Sequence, residues 1–342
     1  MSEAVSEYWN TAVTVRMVVD ACEASGIDTE PILAKADISH AVMEDAEGRV
    51  SLDQMRTFWS EAVAQSREPA IGLKAAVRVP HGQYGLYDYI AAYSDTVGEA
   101  FTRFAEYLPL INNWILMKTD VNDHAGRISM STVWGATPRM SAEYVAGLLT
   151  TRARRDWNAA IRPHVIFEFP QPEFPERPDL HEVALGCPVT FGGSTTEIVL
   201  DRASWDLPVE NGDGGLAAML VRQADQQLDQ LPRATPFVQE VRHEVQAGMV
   251  GGDQQISVIA DRLGMSARTL QRKLGADGLT FAEIVDEVRL EAAKVALADH
   301  GVSLAEVAFL VGFEEQSSFS RAFKRWTGSS PRDFRSATLS TD

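Results

Sequence analysis

The chain has little cysteine and no long apolar run. Cys22 and Cys187 are its only cysteines, and neither lies in a CxxC pair or a ligand cluster, so we expect two buried thiols and not a disulfide. The N-terminus lacks a basic leader followed by an apolar segment, and no uncharged apolar run reaches the roughly 18 residues that a membrane helix requires. These absences predict a cytoplasmic protein with no membrane association.

Motifs of the common enzyme classes are also missing. The sequence contains no GxSxG, P-loop, HExxH or GxGxxG pattern, and its seven histidines are scattered without metal-ligand spacing. The stretch DVNDHAG, residues 120–126, begins like a calcium loop but lacks its glycine and its closing glutamate, so we interpret it as a turn. The sequence therefore predicts no metal, no cofactor and no catalytic residue, and so no enzyme.

Positive charge is scarce outside the C-terminal quarter. The formal net charge is −17, yet residues 253–336 carry 11 Lys and Arg against 12 Asp and Glu, leaving 20 against 36 for the rest of the 342 residues. An acidic surface disfavours loose contact with polyanions, so the C-terminal quarter is predicted to have a different electrostatic role. With the glycine-rich stretches near 211 and 247, this predicts an N-terminal domain at 1–210, a helical linker at 211–252 and a C-terminal domain at 253–338.

The C-terminal domain contains one pattern twice. In the first half of the pattern the matching residues lie 48 positions apart, and in its second half they lie 49 positions apart. The matched pairs are Ala260 and Ala308, Gly264 and Gly312, Leu270 and Phe319, Arg272 and Arg321, and Leu274 and Phe323. Each copy predicts a short amphipathic helix, a glycine that closes it, a turn of three or four residues and a second helix. This is the spacing of a helix-turn-helix, and Ser303 with Glu306 has the spacing of a capping box.

The second helix of each copy has an apolar and a polar face. Leu270 and Leu274 form the apolar face in the first copy; Phe319, Phe323 and Trp326 form it in the second. Arginine and glutamine can bond to base edges in the major groove, whereas serine and lysine suit phosphates. One such pattern alone is also typical of a solvated surface, but two matched copies favour double-stranded DNA as the partner. The predicted DNA-contacting residues are Ser266, Arg268, Thr269, Gln271, Arg272, Gln316, Ser317, Ser318, Ser320, Arg321 and Lys324.

A single helix is predicted to connect the two copies. It runs from Phe281 to about Asp299, and its expected buried stripe is Phe281, Ile284, Val288, Ala292 and Val295. At about 1.5 Å per residue it spans roughly 28 Å, close to the roughly 34 Å of one DNA turn, so both copies could enter successive major grooves. Arg289 in this helix either reaches a phosphate or links the two copies, and we favour the structural role.

These residues resemble a known family. The order ADRLGMSARTLQRKL (260–274), a connecting helix and GFEEQSSFSRAFKRWTGSSPRDFR (312–335) is similar to the DNA-binding domain of the AraC/XylS family of bacterial transcription regulators. The resemblance implies base contacts from Arg268, Gln271 and Arg272 in the first copy. In the second copy the resemblance implies base contacts from Gln316, Ser317, Ser320 and Arg321.

The N-terminal domain is predicted to be α+β, with helices and strands segregated along the chain. Ser51 with Gln54 and Thr96 with Glu99 have capping-box spacing. WILMKTDV and RISMSTVW alternate on either side of the turn NDHAG, which predicts an antiparallel hairpin with Ile115, Met117, Ile128 and Met130 on one face. VIFEF and TTEIVLD are further predicted strands, with a short helix ending at Gly186 between them.

This domain also resembles a family domain, through residues 81–108 and 185–209. Both stretches are similar to the "arabinose-binding" regulatory domain of one AraC branch, which implies either sensing of a small molecule or dimerisation. A candidate effector pocket comprises Tyr84, Tyr87, Phe104, Tyr107, Trp114, Met117 and Trp134, and ordinary core packing is the alternative for each of them. Arg152, Arg154 and Arg155 either hold a ligand carboxylate or lie on a solvated or inter-domain face, which we favour.

We therefore predict a sequence-specific transcription regulator whose N-terminal domain senses an effector. Its expected partners are double-stranded DNA, a small molecule, RNA polymerase and a second copy of the chain. The alternative is a regulator whose N-terminal domain only dimerises or binds a protein. A fusion of an enzyme with a regulator is disfavoured because no catalytic motif is present.

Overall fold

The chain forms two compact units; of the described residues, the first comprises those up to 132 and 137–231, and the second comprises Val133 and those from 236 onward. The computed structural model describes residues 8–45, 47–65, 70–133, 137–172, 177–231, 236–249, 254–298 and 302–339. Within these residues the first unit combines helices with sheets and the second is helical. This confirms the predicted fold class, an α+β domain followed by an all-α domain. None of the described helices has both the length and the hydrophobicity needed to cross a membrane.

The first unit contains most of the helices. In chain order they are α1 (Ala12–Glu23), α2 (Glu30–Lys35), α3 (His40–Glu44), α4 (Leu52–Gln65), α5 (Ile71–Arg78), α6 (Leu86–Ala92), α7 (Val97–Tyr107), α8 (Arg139–Arg152), α9 (Leu180–Leu185), α10 (Arg202–Trp205) and α11 (Gly214–Gln230). A 3-10 turn at Leu108–Leu110 follows α7, and a π-helical turn at Ala153–Trp157 extends α8. The predicted capping box of Ser51 and Gln54 is confirmed by both reciprocal hydrogen bonds at the start of α4.

Two sheets complete the first unit. Their strands are β1 (Trp9–Thr11), β2 (Arg49–Ser51), β3 (Ile115–Val121), β4 (Ala125–Thr132), β5 (Pro163–Phe167), β6 (Val189–Phe191) and β7 (Thr196–Asp201). β1 pairs with β2, and the larger sheet has the order β3-β4-β7-β5-β6, in which only β5 and β6 run parallel.

The predicted hairpin is confirmed by the pairing of β3 with β4. Met117 lies opposite Met130 and Ile115 opposite Thr132, so the expected apolar residues share one face. At the turn the Asn122 side chain accepts hydrogen bonds from the backbone N–H groups of His124 and Ala125, at 2.9 and 3.0 Å. These bonds define an ordinary Asx-type turn, as predicted.

Trp205 packs where α7 meets the large sheet. Its ring stacks on Phe101, with ring centroids 6.0 Å apart. A Cβ on Gly98 would lie 2.0 Å from its Nε1, and a Cβ on Gly126 would lie 1.9 Å from its Cε3. Because those distances are shorter than any non-bonded contact allows, both glycines are required for the indole to fit between α7 and β4.

The second unit is a bundle of helices. They are α12 (Pro236–Ala247), α13 (Ile256–Arg262), α14 (Ala267–Ala276), α15 (Phe281–Ala298), α16 (Leu304–Leu310), α17 (Gln316–Thr327) and α18 (Pro331–Leu339). α15 contacts α12, α16, α17 and α18. It is therefore the central element around which the unit is built.

The two helices of the predicted linker belong to different units. α11 packs on α6 in the first unit. The Tyr107 hydroxyl, at the end of α7, also donates to Asp225 of α11 at 2.8 Å. α12 packs on α15 in the second, where Arg242 Nη2 donates to Glu287 Oε2 at 2.8 Å. The boundaries at residues 210 and 252 stay predictions, but the structure gives each linker helix a packing partner.

The buried stripe predicted for α15 is only partly right. Ile284 and Val288 are buried as expected, whereas Phe281, Ala292 and Val295 are half-buried. In the second half of the helix the buried residues are instead Glu291, Ala293 and Leu297. The prediction assumed a single contacting face, and it was wrong because α15 is covered from several sides by four helices.

Candidate nucleic-acid interface

The first helix-turn-helix consists of α13 and α14. Gly264, in the turn between them, has φ of 67°, a left-handed conformation that favours glycine and closes α13 as predicted. Ser266 is the N-cap of α14, and its hydroxyl accepts from the Thr269 N–H at 3.2 Å. Leu270 and Leu274 are fully buried. The predicted apolar face thus holds α14 to the body of the unit.

The opposite face of α14 is polar and exposed. Arg268, Gln271 and Arg272 are all exposed, so the face presents two guanidinium groups and an amide to water. Lys273 was not among the predicted contacts. It is exposed on the same helix, with its Nζ 4.4 Å from the centroid of the Phe237 ring of α12. Its place in the cationic stretch of α14 is the signal that could have identified it.

The second helix-turn-helix consists of α16 and α17. Ser303 and Glu306 form the predicted capping box at the start of α16. These bonds to Ser303 hold the pKa of the Glu306 carboxyl below its usual value. Gly312 has φ of 78° in the turn, and Phe319 and Phe323 of α17 are fully buried. The second copy therefore repeats the anchoring arrangement of the first.

The polar face of α17 carries the remaining predicted contacts. Gln316, Ser317, Arg321 and Lys324 are exposed, while Ser318 and Ser320 are half-buried. Arg321 Nη2 donates to the Ser318 hydroxyl at 3.2 Å. That bond orders the arginine side chain on the exposed face. The structure thus groups the predicted residues on two helix faces, one in each copy, and their contacts with bases stay predictions.

Arg289 links the two copies, which confirms its structural role. Its Nε donates to Gln254 Oε1 at 2.7 Å, just before α13, and its Nη2 donates to the Gly312 carbonyl at 3.3 Å, in the turn before α17. The guanidinium also lies 4.7 Å from the centroid of the Phe313 ring. Burial lowers the pKa of Arg289, but arginine stays charged at any physiological pH.

Part of the candidate effector pocket comes together in the first unit as aromatic core. Tyr87 and Phe104 pack edge to face with centroids 4.5 Å apart, and the Tyr87 hydroxyl donates to the Phe104 carbonyl at 2.9 Å. The Tyr84 hydroxyl lies 2.6 Å from that of Tyr144. Burial raises the pKa of both Tyr84 and Tyr87. These hydroxyls are neutral and already hydrogen-bonded within the protein.

The other candidate pocket residues have partners elsewhere in the first unit. Tyr107 donates to Asp225 of α11, and Trp114 Nε1 donates to Asn10 Oδ1 of β1 at 3.1 Å. Met117 is half-buried on β3. Trp134 lies outside the described residues. The pocket as a whole stays a prediction.

The three arginines at the end of α8 all bind groups of the first unit. Arg152 is buried; its Nη1 lies 3.0 Å from Asp88 Oδ1 and its Nη2 donates to the Pro80 carbonyl at 3.0 Å. Arg154 donates to the Gly186 carbonyl at 2.6 Å, and Arg155 pairs with Asp156. The preferred interpretation of a solvated or inter-domain face was wrong for Arg152, because a buried acid faces it. Burial raises the pKa of Asp88, although Arg152 opposes that shift.

Comparisons with known proteins match both units. Residues 26–209 match the family model described as the arabinose-binding domain of AraC transcription regulators, and residues 259–337 match a helix-turn-helix domain. The chain is 24% identical to the ornithine utilization regulator of Pseudomonas aeruginosa over 94% of both chains.

Two further relatives match part of the chain. The transcriptional regulator VirS of Mycobacterium tuberculosis is 32% identical over 44% of both chains. The transcriptional activator NphR of a Rhodococcus species is 30% identical over 42% of this chain and 46% of its own. The N-terminal family model alone matches more than half of the 342 residues and lies before the tandem helix-turn-helix. The chain therefore belongs to the AraC family of DNA-binding transcription regulators.

Proposed function

We propose that this regulator reads one long DNA site with α14 and α17 and that a small molecule bound in the first unit controls it. Arg268, Gln271 and Arg272 of α14 contact base edges, and so do four residues of α17, namely Gln316, Ser317, Ser320 and Arg321. Ser266, Thr269, Ser318 and Lys324 contact phosphates or support the base-reading side chains. The protein acts in the bacterial cytoplasm, where its DNA and RNA polymerase are.

One observation carries this proposal. Each copy sets an exposed polar helix face opposite a fully buried pair, Leu270 with Leu274 and Phe319 with Phe323, and Arg289 joins the copies. A helix anchored on one side and exposed on the other is what insertion into a major groove requires. Because the chain carries a net charge of −17, we expect weak nonspecific binding and an affinity that depends on specific contacts.

Control by a small molecule is supported by the family of the first unit. The family model is described as arabinose-binding, and the full-length relative is named for ornithine utilization, so members of this family are connected with different metabolites. We propose that the effector binds one conformation better and shifts the population of the DNA-binding state. Dimerisation without a ligand is the competing role.

Two measurements test the proposal with the full-length chain. Selection from random duplex DNA should recover one site that contains two blocks about one helical turn apart, and an Arg272→Ala, Arg321→Ala double variant should fail to recover it.

Thermal unfolding against a panel of amino acids, sugars and organic acids should give a saturable rise in the unfolding temperature for one compound. No rise for any compound would favour plain dimerisation, and consumption of a compound would indicate an enzyme.

A further inference from the structure

Glu315 and Ser266 occupy equivalent positions in the two copies. Each is the N-cap of its DNA-facing helix, and they lie 49 residues apart, the spacing that relates Leu270 to Phe319. The same position therefore carries a small hydroxyl in the first copy and a long carboxylate in the second. The two side chains behave differently.

Ser266 caps its helix, whereas Glu315 does not. The Ser266 hydroxyl accepts from the Thr269 N–H at 3.2 Å. Glu315 makes no side-chain bond to the N–H groups of α17; its Oε2 instead accepts from the Ser317 hydroxyl at 3.2 Å. The Glu315 side chain is exposed. Its carboxylate is thus held next to a residue of the proposed reading face.

An acid at this position is unfavourable for binding DNA in general. The helix dipole favours a negative charge at a helix N-terminus, but a serine would cap α17 better. In a DNA complex the carboxylate would also approach phosphates, which repel it. The dipole favours an acid, but capping and nonspecific affinity both favour serine over glutamate here, and a specific contact to a base would favour glutamate.

The base that suits a carboxylate in the major groove is cytosine. Its N4 amino group is a donor, and glutamate or aspartate accepts from it, whereas guanine and thymine present acceptors that would repel an acid and adenine has its N7 acceptor beside its N6 donor. The first residues of a reading helix are those that contact base edges. We infer that Glu315 accepts a hydrogen bond from a cytosine N4 and makes the second block of the site specific for that base. This inference rests on the proposed function.

Glu314 provides a matched control. It is an adjacent exposed acid, but it precedes the N-cap, and no bond from Ser317 holds its side chain. Replacing it removes the same charge from the same end of α17. We expect Glu314→Gln to raise affinity for all DNA sequences to a similar extent, because only repulsion from phosphates is lost.

The experiment compares full-length wild type, Glu315→Gln, Glu315→Ser and Glu314→Gln in selections from random duplex DNA, followed by binding to the selected site and its single-base variants. Wild type and Glu314→Gln should prefer cytosine at one position of the second block, on the order of tenfold over other bases. Glu315→Ser should lose that preference at that position only. It should also unfold at a higher temperature, because serine caps α17 as Ser266 caps α14.

The outcomes separate this inference from the proposed function. If wild type selects a two-block site and neither Glu315 variant changes any base preference, Glu315 reads no base and only this inference fails. If Glu315→Ser unfolds at a lower temperature and loses the whole site, the residue is structural and the inference fails as well. If wild type selects no sequence at all, the proposed function fails and the inference fails with it.

Discussion

Arg289 Nε donates to Gln254 Oε1 at 2.7 Å, and the same guanidinium reaches the Gly312 carbonyl. Gln254 in turn donates from Nε2 to the Val245 carbonyl of α12 at 3.2 Å. One side chain of α15 thus connects α12, the start of the first helix-turn-helix and the turn of the second. We therefore expect the spacing of α14 and α17 to depend on this connection.

We expect Arg289→Ala to destabilise the second unit by about 2 to 4 kcal/mol, because it removes two charge-assisted hydrogen bonds and leaves the Oε1 acceptor of buried Gln254 without this donor. Urea unfolding followed by circular dichroism would measure this loss. Arg332→Ala, which removes an exposed arginine from α18, is the control and should change stability little. Equal unfolding midpoints for the two variants would contradict the structural role of Arg289.

Substitutions on the reading helices should separate base contacts from phosphate contacts. Arg272→Ala and Arg321→Ala should each weaken binding to the selected site by about 1 to 3 kcal/mol. Binding to random DNA should change much less, because these side chains contact bases. Lys273→Ala, on the same helix as Arg272, should weaken binding to the selected site and to random DNA by a similar factor. It should also reduce the salt dependence of binding.

Fluorescence anisotropy with labelled duplexes at several salt concentrations would measure both affinities. Circular dichroism should be unchanged in all three variants, since Arg272, Lys273 and Arg321 are exposed. An equal loss on specific and random DNA for Arg272→Ala would mean that Arg272 contacts a phosphate.

The ion pair between Arg152 and Asp88 is buried in the first unit. Asp88→Asn removes the carboxylate that lies 3.0 Å from Arg152 Nη1, whereas that of Asp156 is 3.8 Å away, and should cost about 3 to 5 kcal/mol. Urea unfolding followed by tryptophan fluorescence would record the change. Asp206→Asn breaks a pair with Arg202 at the surface and should change stability far less. Comparable losses in both variants would show that burial does not set the strength of the Arg152 pair.

Both cysteines should be unreactive in the folded protein. Burial raises the pKa of Cys22 to about 12 and that of Cys187 to about 11, and only the thiolate is a nucleophile. At pH 8 alkylation by iodoacetamide should be slow in buffer and fast in urea, where both thiols return to a pKa of about 8.5. Raising the pH in buffer should label Cys187 before Cys22.

Peptide mass spectrometry after timed alkylation would give both rates. The two cysteines are free and buried in the structure, so the expected labelling in urea is two per chain without prior reduction. Rapid labelling of either thiol in native buffer would contradict their burial.

The tandem helix-turn-helix was predictable because its repeat is visible in the sequence. The matched pairs Gly264 with Gly312 and Leu270 with Phe319 identified turns and anchors, and both turn glycines adopt positive φ. Local patterns such as the capping box of Ser303 and the hairpin turn at Asn122 were predicted for the same reason. Each depends on residues only three or four positions apart.

Features that depend on long-range packing were not predictable. The partner of Arg152 lies 64 positions earlier in the chain, at Asp88, and nothing in the TTRARRDW stretch identifies it. The strand order of the large sheet places β7 between β4 and β5, which local periodicity cannot indicate. Glu291 still shares the face of Ile284 and Val288, but Ala293 and Leu297 are buried on another face because four other helices surround α15.

The position of Trp205 between Gly98 and Gly126 has a practical consequence. Of the tryptophans that the structure describes, only Trp326 belongs to the second unit, while Trp205 and Trp157 are deeply buried in the first. Fluorescence excited at the red edge of the indole absorption band therefore comes mainly from tryptophans of the first unit. The chain thus contains its own optical probe, which can test without any attached dye whether a metabolite binds the first unit.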